Sequence, residues 1–361
     1  GSVTIPTMIR AGYPRAFAGG VEATASAGGQ ILPPVMGAGA FLMAEFLNVP
    51  YSTVALAALP PAILYFAAIF VSCDLLARRL SLAPEEGRVQ EDAIGLGEVV
   101  SLTLPVVVLG WLLFNAYTPT YAGIAAVVAL LATSAAVRMA QGLRGGVQGL
   151  DAAGRQYVRD VFSGFAAGGK GLMTIAVLLA CSSLLVAALT SSGLAIKISD
   201  LLVGLSGDSL FVLLLLAAIT CLLMAMDVPT TASYVLTISV VGPSLVRLGL
   251  EPLTSHLFVF YFAILSAIPP PVCASVYAAA TIVNENFWKV AGQALRIAGA
   301  AYFIPFMFIY RPGVLGQGTF ETVVTDLAVT SLGVLTFSCA SIGYLMGPLA
   351  WHVRAGLFAG S

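Results

Sequence analysis

Gln30-Ile31-Leu32-Pro33-Pro34-Val35 and, far along the chain, Ala267-Ile268-Pro269-Pro270-Pro271-Val272 carry one proline pattern inside membrane-grade hydrophobic sequence. Ile31 and Ile268, Pro33 and Pro270, Pro34 and Pro271, and Val35 and Val272 are each 237 positions apart. The same offset joins Pro6 to Pro243, Arg10 to Arg247 and Gly12 to Gly249. A double proline removes two backbone donors and breaks a helix. Facing lipid, the freed carbonyls would cost several kcal/mol each, so such a break belongs inside protein or against a water-filled cavity. Paired breaks in two repeats point to the substrate site of a secondary transporter. Two kinks with a packing role alone are the competing explanation, and an offset shared on both sides of the break weighs against it.

Hydrophobic residues make up 59% of the chain and charged residues 9%, with a mean hydropathy of +0.98. An ordinary soluble domain carries roughly 25% charged residues, so the composition is that of a polytopic membrane protein lying in a lipid bilayer. A formal net charge of −1 gives no basic surface for nucleic acid. Cys73, Cys181, Cys221, Cys273 and Cys339 are scattered through apolar segments without a CxxC pair. They are expected to fill the core rather than to form disulfides or a zinc site.

Apolar runs near bilayer length, about 20 residues, cover 52–77, 98–117, 119–137, 172–192, 297–311 and 322–347. Arg78, Arg79, Arg138 and Arg144 end two of them, which places those ends on the cytoplasmic side. Segment 80–97 is charged and expected outside the membrane. Around 157–165, Tyr157, Val158, Val161, Phe162 and Phe165 recur at helical spacing, with Arg155 and Arg159 on other faces. That pattern predicts an amphipathic helix at the interface. A hairpin over 207–247, with Asp227-Val228-Pro229 at its tip, leaves five crossings between the two copies, so the repeats are inverted. Arg247, Lys197 and Arg311 fall on the outer side in this topology, against the charge rule. The expected architecture is an all-α polytopic protein of inverted repeats with broken helices and a re-entrant hairpin. Its parts are the end of a first repeat (1–50), scaffold helices with a cytoplasmic amphipathic arm (51–171), a second repeat (172–295) and C-terminal transmembrane helices (296–361). The counterpart of Met226 to Ser233 in the first copy would fall before residue 1, and no initiator Met or signal peptide opens the chain. An N-terminally truncated fragment, unable to transport by itself, is therefore expected.

Hard oxygen ligands cluster at these features. Gln30 and the carbonyls freed by Pro33, Pro34, Pro270 and Pro271 suit Na⁺ better than a soft metal. Asp227, at the presumed tip, is either an ion ligand or proton carrier or a helix cap. Thr230, Thr231 and Ser233 offer hydroxyls at the start of the next helix, where orphan N–H groups also favour a carboxylate; simple capping is their alternative role. Glu22 is a second candidate proton carrier, or else an acid paired with an arginine, and Glu45 is expected at the interface. His256 is expected in a core or capping role ahead of a proton relay. Gly168-Gly169-Lys170-Gly171 lacks P-loop spacing, so the chain is not an ATPase.

Gly20-Val21-Glu22-Ala23, Ser26 through Gly37, Phe41 through Glu45, Pro229 through Tyr234, His256 through Phe262 and Pro305 through Phe308 together resemble the large membrane subunit of TRAP transporters, specifically the fused permease of the TAXI type. The sequence departs from that pattern at Met224-Ala225-Met226-Asp227-Val228, where a glycine-rich lead is usual, and at Pro269, where threonine is usual. The resemblance implies an elevator-type secondary transporter of the bacterial inner membrane. It would import a small organic acid handed over by a periplasmic TAXI-type binding protein, in symport with Na⁺ or H⁺ and without a cofactor. The small membrane subunit would be fused upstream. A binding-protein-independent carboxylate symporter is the nearest rival. An intramembrane enzyme lacks a paired catalytic motif in this sequence, and an ion channel lacks the filter rings that symmetry would supply.

Overall fold

A computed structural model describes residues 1, 3–34, 36–82, 96–115, 117–143, 146–207, 209–226, 228–271 and 273–361. These residues form fifteen α-helices and one short 3-10 turn. Among them the sole β pairing is an isolated bridge, Tyr344 to Pro348. In chain order the helices are α1 (Thr4–Arg10), α2 (Arg15–Gly28), α3 (Ala38–Leu47), α4 (Tyr51–Arg79), α5 (Leu96–Phe114), α6 (Pro119–Leu143), α7 (Gly146–Ser191) and α8 (Leu194–Ser206). There follow α9 (Leu210–Met224), α10 (Thr230–Arg247), α11 (Pro252–Leu265), α12 (Ala274–Val283), α13 (Phe287–Tyr310), α14 (Phe320–Ile342) and α15 (Trp351–Gly360).

Residues 1–49, 53–85 and 182–361 make one compact unit. Its core is aromatic and aliphatic and is centred on α11, where every residue from Leu257 to Leu265 is buried. A helix buried on all sides needs other helices, not lipid, around it, and α11 packs against α10, α13, α9, α3 and α2. Residues 53–79 of α4 belong with this unit: Tyr13 donates its hydroxyl proton to the Cys73 carbonyl (3.2 Å), and Tyr65 is completely buried. The long α4 runs as one helix through Pro60 and Pro61, whereas the paired prolines at 33–34 and 270–271 lie in the breaks that follow α2 and α11.

Residues 50–52 and 86–181 make the other unit. Here α5 and α6 pack closely, with Gly97 set against the Val137 side chain. The amphipathic stretch expected around 157–165 is one uninterrupted helix with the apolar run after it, so 146–191 is a single 46-residue element. Tyr157 donates to the Leu131 carbonyl (2.7 Å) and Asp160 pairs with Arg138 (2.5 Å), while Val158, Phe162 and Phe165 stay exposed. An apolar face bare of protein is what an interfacial helix presents to lipid.

Among the described residues four helices, α4, most of α6, α13 and α14, are long and apolar enough to cross a membrane. A fifth candidate span is the end of α7 with α8, bent by 72°; the bend follows Gly193, whose φ of +69° suits glycine. Two expected boundaries differ. The span placed at 297–311 starts ten residues earlier, because Asn286 caps α13 by accepting the Trp288 N–H (2.9 Å). The run placed at 322–347 stops at Ile342, where Gly343 adopts a left-handed φ of +73°. Both arginines that run against the charge rule are ion-paired: Arg247 with Asp200, and Arg311 with Asp326 (3.0 Å).

Candidate transport site at two broken helices

The repeat inferred from prolines is a repeat of backbone. Helices α2 and α11 both have 14 residues, and their ends are 237 positions apart. Before them, α1 and α10 stop at Arg10 and Arg247, and each is followed by a glycine at positive φ, +93° at Gly12 and +86° at Gly249. After them the chain tightens identically. Gln30 and Ile31 N–H donate to the Ala27 and Gly28 carbonyls, as Ala267 and Ile268 N–H donate to Ile264 and Leu265. Ile31 and Ile268 are both fully buried, and the Pro33–Pro34 and Pro270–Pro271 peptide bonds are both cis. Ten-residue helices α3 and α12 then close on Asn48 and Asn284, each in the left-handed conformation that asparagine tolerates. The second break is one residue shorter, since Asn48 and Asn284 are 236 apart.

The two copies are cross-packed. The first half of one broken helix, α2, lies against the second half of the other, α12, and α3 lies against α11. That pairing requires the broken helices to run antiparallel with their breaks abreast, the arrangement of inverted repeats. The cavities described lie elsewhere, against α5–α7 and between α13 and α14, so the candidate site rests on the breaks themselves.

Carbonyls left by the helix ends are finished locally. The Gln30 carbonyl accepts the Gly37 N–H (2.9 Å) across the first break. Its counterpart, the Ala267 carbonyl, accepts the Ser275 hydroxyl (2.6 Å) across the second. Two tyrosines from the following spans, Tyr65 and Tyr302, bond the last turns of α2 and α11: Tyr65 to the Thr24 carbonyl (2.7 Å) and Tyr302 to the Leu265 carbonyl (3.0 Å). They too are 237 apart, as are their neighbours Phe66 and Phe303. The signal was available in the sequence but sat outside the proline motif.

The hairpin α9–α10 meets the second break. Ser266 Oγ lies 3.2 Å from the Ala225 carbonyl at the hairpin tip and 2.8 Å from the Ala263 carbonyl of its own helix. Ser233, completely buried, donates to the Val228 carbonyl (2.8 Å), so its hydroxyl ties the tip together. Thr230 and Thr231 are half-buried at the first turn of α10, which has no side-chain cap; its leading N–H groups are those a carboxylate would accept from. Asp227 lies outside the described residues. Tyr234, further along α10, is hydrogen-bonded to His256 Nδ1 (2.6 Å), stacks on Phe46 of α3 and meets Phe260 of α11 edge to face. His256 thus has a structural partner, and Gly39 is small because Phe260 fills the space a Cβ would need.

Among the sequence-derived candidates, Gln30, Pro33, Pro34 and Pro270 are half-buried and Pro271 is exposed. Among the described residues Glu22 pairs with no arginine: its carboxylate accepts from the hydroxyls of Thr4 (2.5 Å) and Ser26 (3.2 Å). Glu45 is exposed. Among the described residues no three His, Cys, Asp or Glu side chains converge to hold a metal. The oxygen donors described beside the breaks include carbonyls, hydroxyls and the Gln30 amide.

Residues 1–323 match the family model described as "Tripartite ATP-independent periplasmic transporter, DctM component". No curated protein matches the chain significantly. A membrane-spanning helical chain whose paired breaks cross antiparallel, matched over most of its length, belongs to the DctM family, the large membrane component of the TRAP secondary transporters.

Proposed function

We propose that the chain is the membrane permease of a TAXI-type TRAP system. It would import a small organic acid, received from a periplasmic binding protein and driven by a Na⁺ or H⁺ gradient across the bacterial inner membrane. The observation that carries this reading is the antiparallel crossing of two broken helices, with a hairpin tip held to one of them by Ser266. Alternating access needs one site that two inverted halves can expose in turn. The α10 N-terminus and Thr230 and Thr231 supply donors for a carboxylate; Gln30 and the break carbonyls supply hard oxygens for the coupling ion. Asp227 and Glu22 are the candidate proton carriers.

The test is uptake of radiolabelled carboxylates into proteoliposomes containing the permease at its full natural length with the small membrane subunit, with Na⁺ or H⁺ gradients imposed separately. Uptake is expected only when the cognate binding protein is added. Uptake without it would favour the binding-protein-independent symporter. Asp227→Asn, which removes a charge and little volume, is expected to reduce gradient-driven uptake and to leave the melting temperature unchanged. The reverse pattern would assign Asp227 to capping.

A further inference from the structure

The C-terminal end of α14 is covered by three arginines from three different helices. Arg296 of α13 donates through Nε and Nη2 to the Ser341 and Ile342 carbonyls (2.7 and 2.8 Å). Arg79, the last residue of α4, donates to the Ile342 carbonyl (2.5 Å), and Arg354 of α15 donates to the Ala340 and Ser341 carbonyls (2.8 and 3.2 Å). Ser341 returns a bond to the Arg296 carbonyl (2.8 Å). Gly343 makes the third guanidinium fit, since a Cβ there would stand 3.3 Å from Nε, Nη1 and Cζ of Arg354.

One arginine suffices to cap a helix end. The terminus carries roughly half a negative charge, so three guanidiniums leave an excess near +2.5 by the same reckoning. Among the described residues none of the three forms a salt bridge, whereas the neighbouring Arg78 is paired with Asp74. Each guanidinium also keeps N–H groups with no described protein acceptor: Nη1 of Arg296 and Arg354, and Nε and Nη2 of Arg79. Concentrated positive charge with spare, fixed donors fits an oxyanion that accepts several bonds at once, a phosphate above all.

The surroundings select the kind of phosphate. The turn from α14 to α15 exposes Met346 (97%) and Leu345 (50%), and α15 begins with Trp351 (81% exposed). An exposed tryptophan beside exposed aliphatic residues marks the headgroup level of a bilayer. The arginine end of α4 is the cytoplasmic end by the positive-inside rule, the side where basic pockets between spans hold anionic headgroups. Arg79 and Arg296 lie within the part matched to the DctM family, whereas the end of α14 and Arg354 lie beyond it. We propose that Arg79, Arg296 and Arg354 form a binding site for the phosphate of an anionic phospholipid, which fastens α15 and the end of α14 to the inner leaflet.

The test uses the whole 361-residue chain, purified in detergent and delipidated, then titrated with phosphatidylglycerol, with phosphatidylcholine of the same acyl chains, and with inorganic phosphate. Bound lipid is read by native mass spectrometry and stability by the melting transition. Phosphatidylglycerol is expected to bind preferentially and raise the melting temperature. Arg79→Gln with Arg354→Gln is expected to weaken that binding about thirtyfold, and Arg354→Gln alone about fivefold. Arg78→Gln is expected to leave it unchanged. Equal binding of phosphatidylcholine, or wild-type phosphatidylglycerol binding by the double variant, would overturn the proposal. Stabilisation by inorganic phosphate equal to that by the lipid would overturn its lipid half. Should the double variant show no cooperative melting, the comparison of Arg354→Gln with the charge-preserving Arg354→Lys decides: equal losses overturn the charge argument.

Discussion

The first and second breaks share their backbone and differ in how side chains complete it. At the end of α2 stands Gly28, and at the end of α11, in the equivalent place, stands Leu265. With no side chain at 28, the Tyr65 ring lies over the glycine, 2.2 Å from where a Cβ would sit, and reaches back to the Thr24 carbonyl. In the second copy Tyr302 bonds the Leu265 carbonyl instead. The first break also carries an amide, Gln30, where the second has Ala267, and the second carries Ser266 and Ser275, whose hydroxyls serve its own backbone and the hairpin tip. The scaffold is symmetric and its polar chemistry is not. Among the described residues a side-chain amide stands at the first break and none at the second.

The sharpest way to break this comparison is to give the first copy a side chain at its glycine. Gly28→Val forces the buried Tyr65 ring to move and is expected to cost about 3 kcal/mol, whereas Leu265→Val should cost about 1 kcal/mol. Melting in detergent measures both, and equal effects would erase the contrast. Removing the hydroxyl that crosses the second break comes next. Ser275→Ala deprives the Ala267 carbonyl of its donor and is expected to cost about 1.5 kcal/mol, with Ser275→Thr restoring most of it. Tyr65→Phe and Tyr302→Phe each delete one hydrogen bond to a helix end, for about 1 kcal/mol apiece. A Tyr302→Phe loss far below that of Tyr65→Phe would show that only one copy depends on its tyrosine. The smallest effect on stability, under about 0.5 kcal/mol as for most partly exposed substitutions, is expected from Gln30→Ala, which makes the first break resemble the second. Its readout is uptake: weakened transport with unchanged melting would sharpen the asymmetry, and normal transport would remove Gln30 from the site.

Much of this was legible before any coordinates. The offset of 237 is a property of letters, and it located both breaks, both preceding glycines and the arginines that end the preceding helices, because proline and glycine act through the local backbone. The separation of α14 from α15 was hidden, since hydropathy runs on past Gly343 and a positive φ leaves no trace in composition. The run of α7 through the interfacial stretch was hidden for the opposite reason: a change from amphipathic to apolar pattern does not by itself end a helix. At the site, Thr230, Thr231 and Gln30 fall beside the features that nominated them. Ser266 and Ser275 went unnoticed because a serine near a helix break looks like any polar loop residue until the carbonyl opposite it is known.

Gly20 has a mechanical consequence. A Cβ there would lie 2.8 Å from the Ala294 backbone nitrogen, so α2 and α13 touch main chain to main chain, and Thr24 Oγ1 lies 3.4 Å from the Ala294 carbonyl across the same seam. Bare backbones in contact leave no layer of side chains to shear. The leading half of the first broken helix is in effect welded to a span that follows the second, so that a displacement of one would carry the other with it.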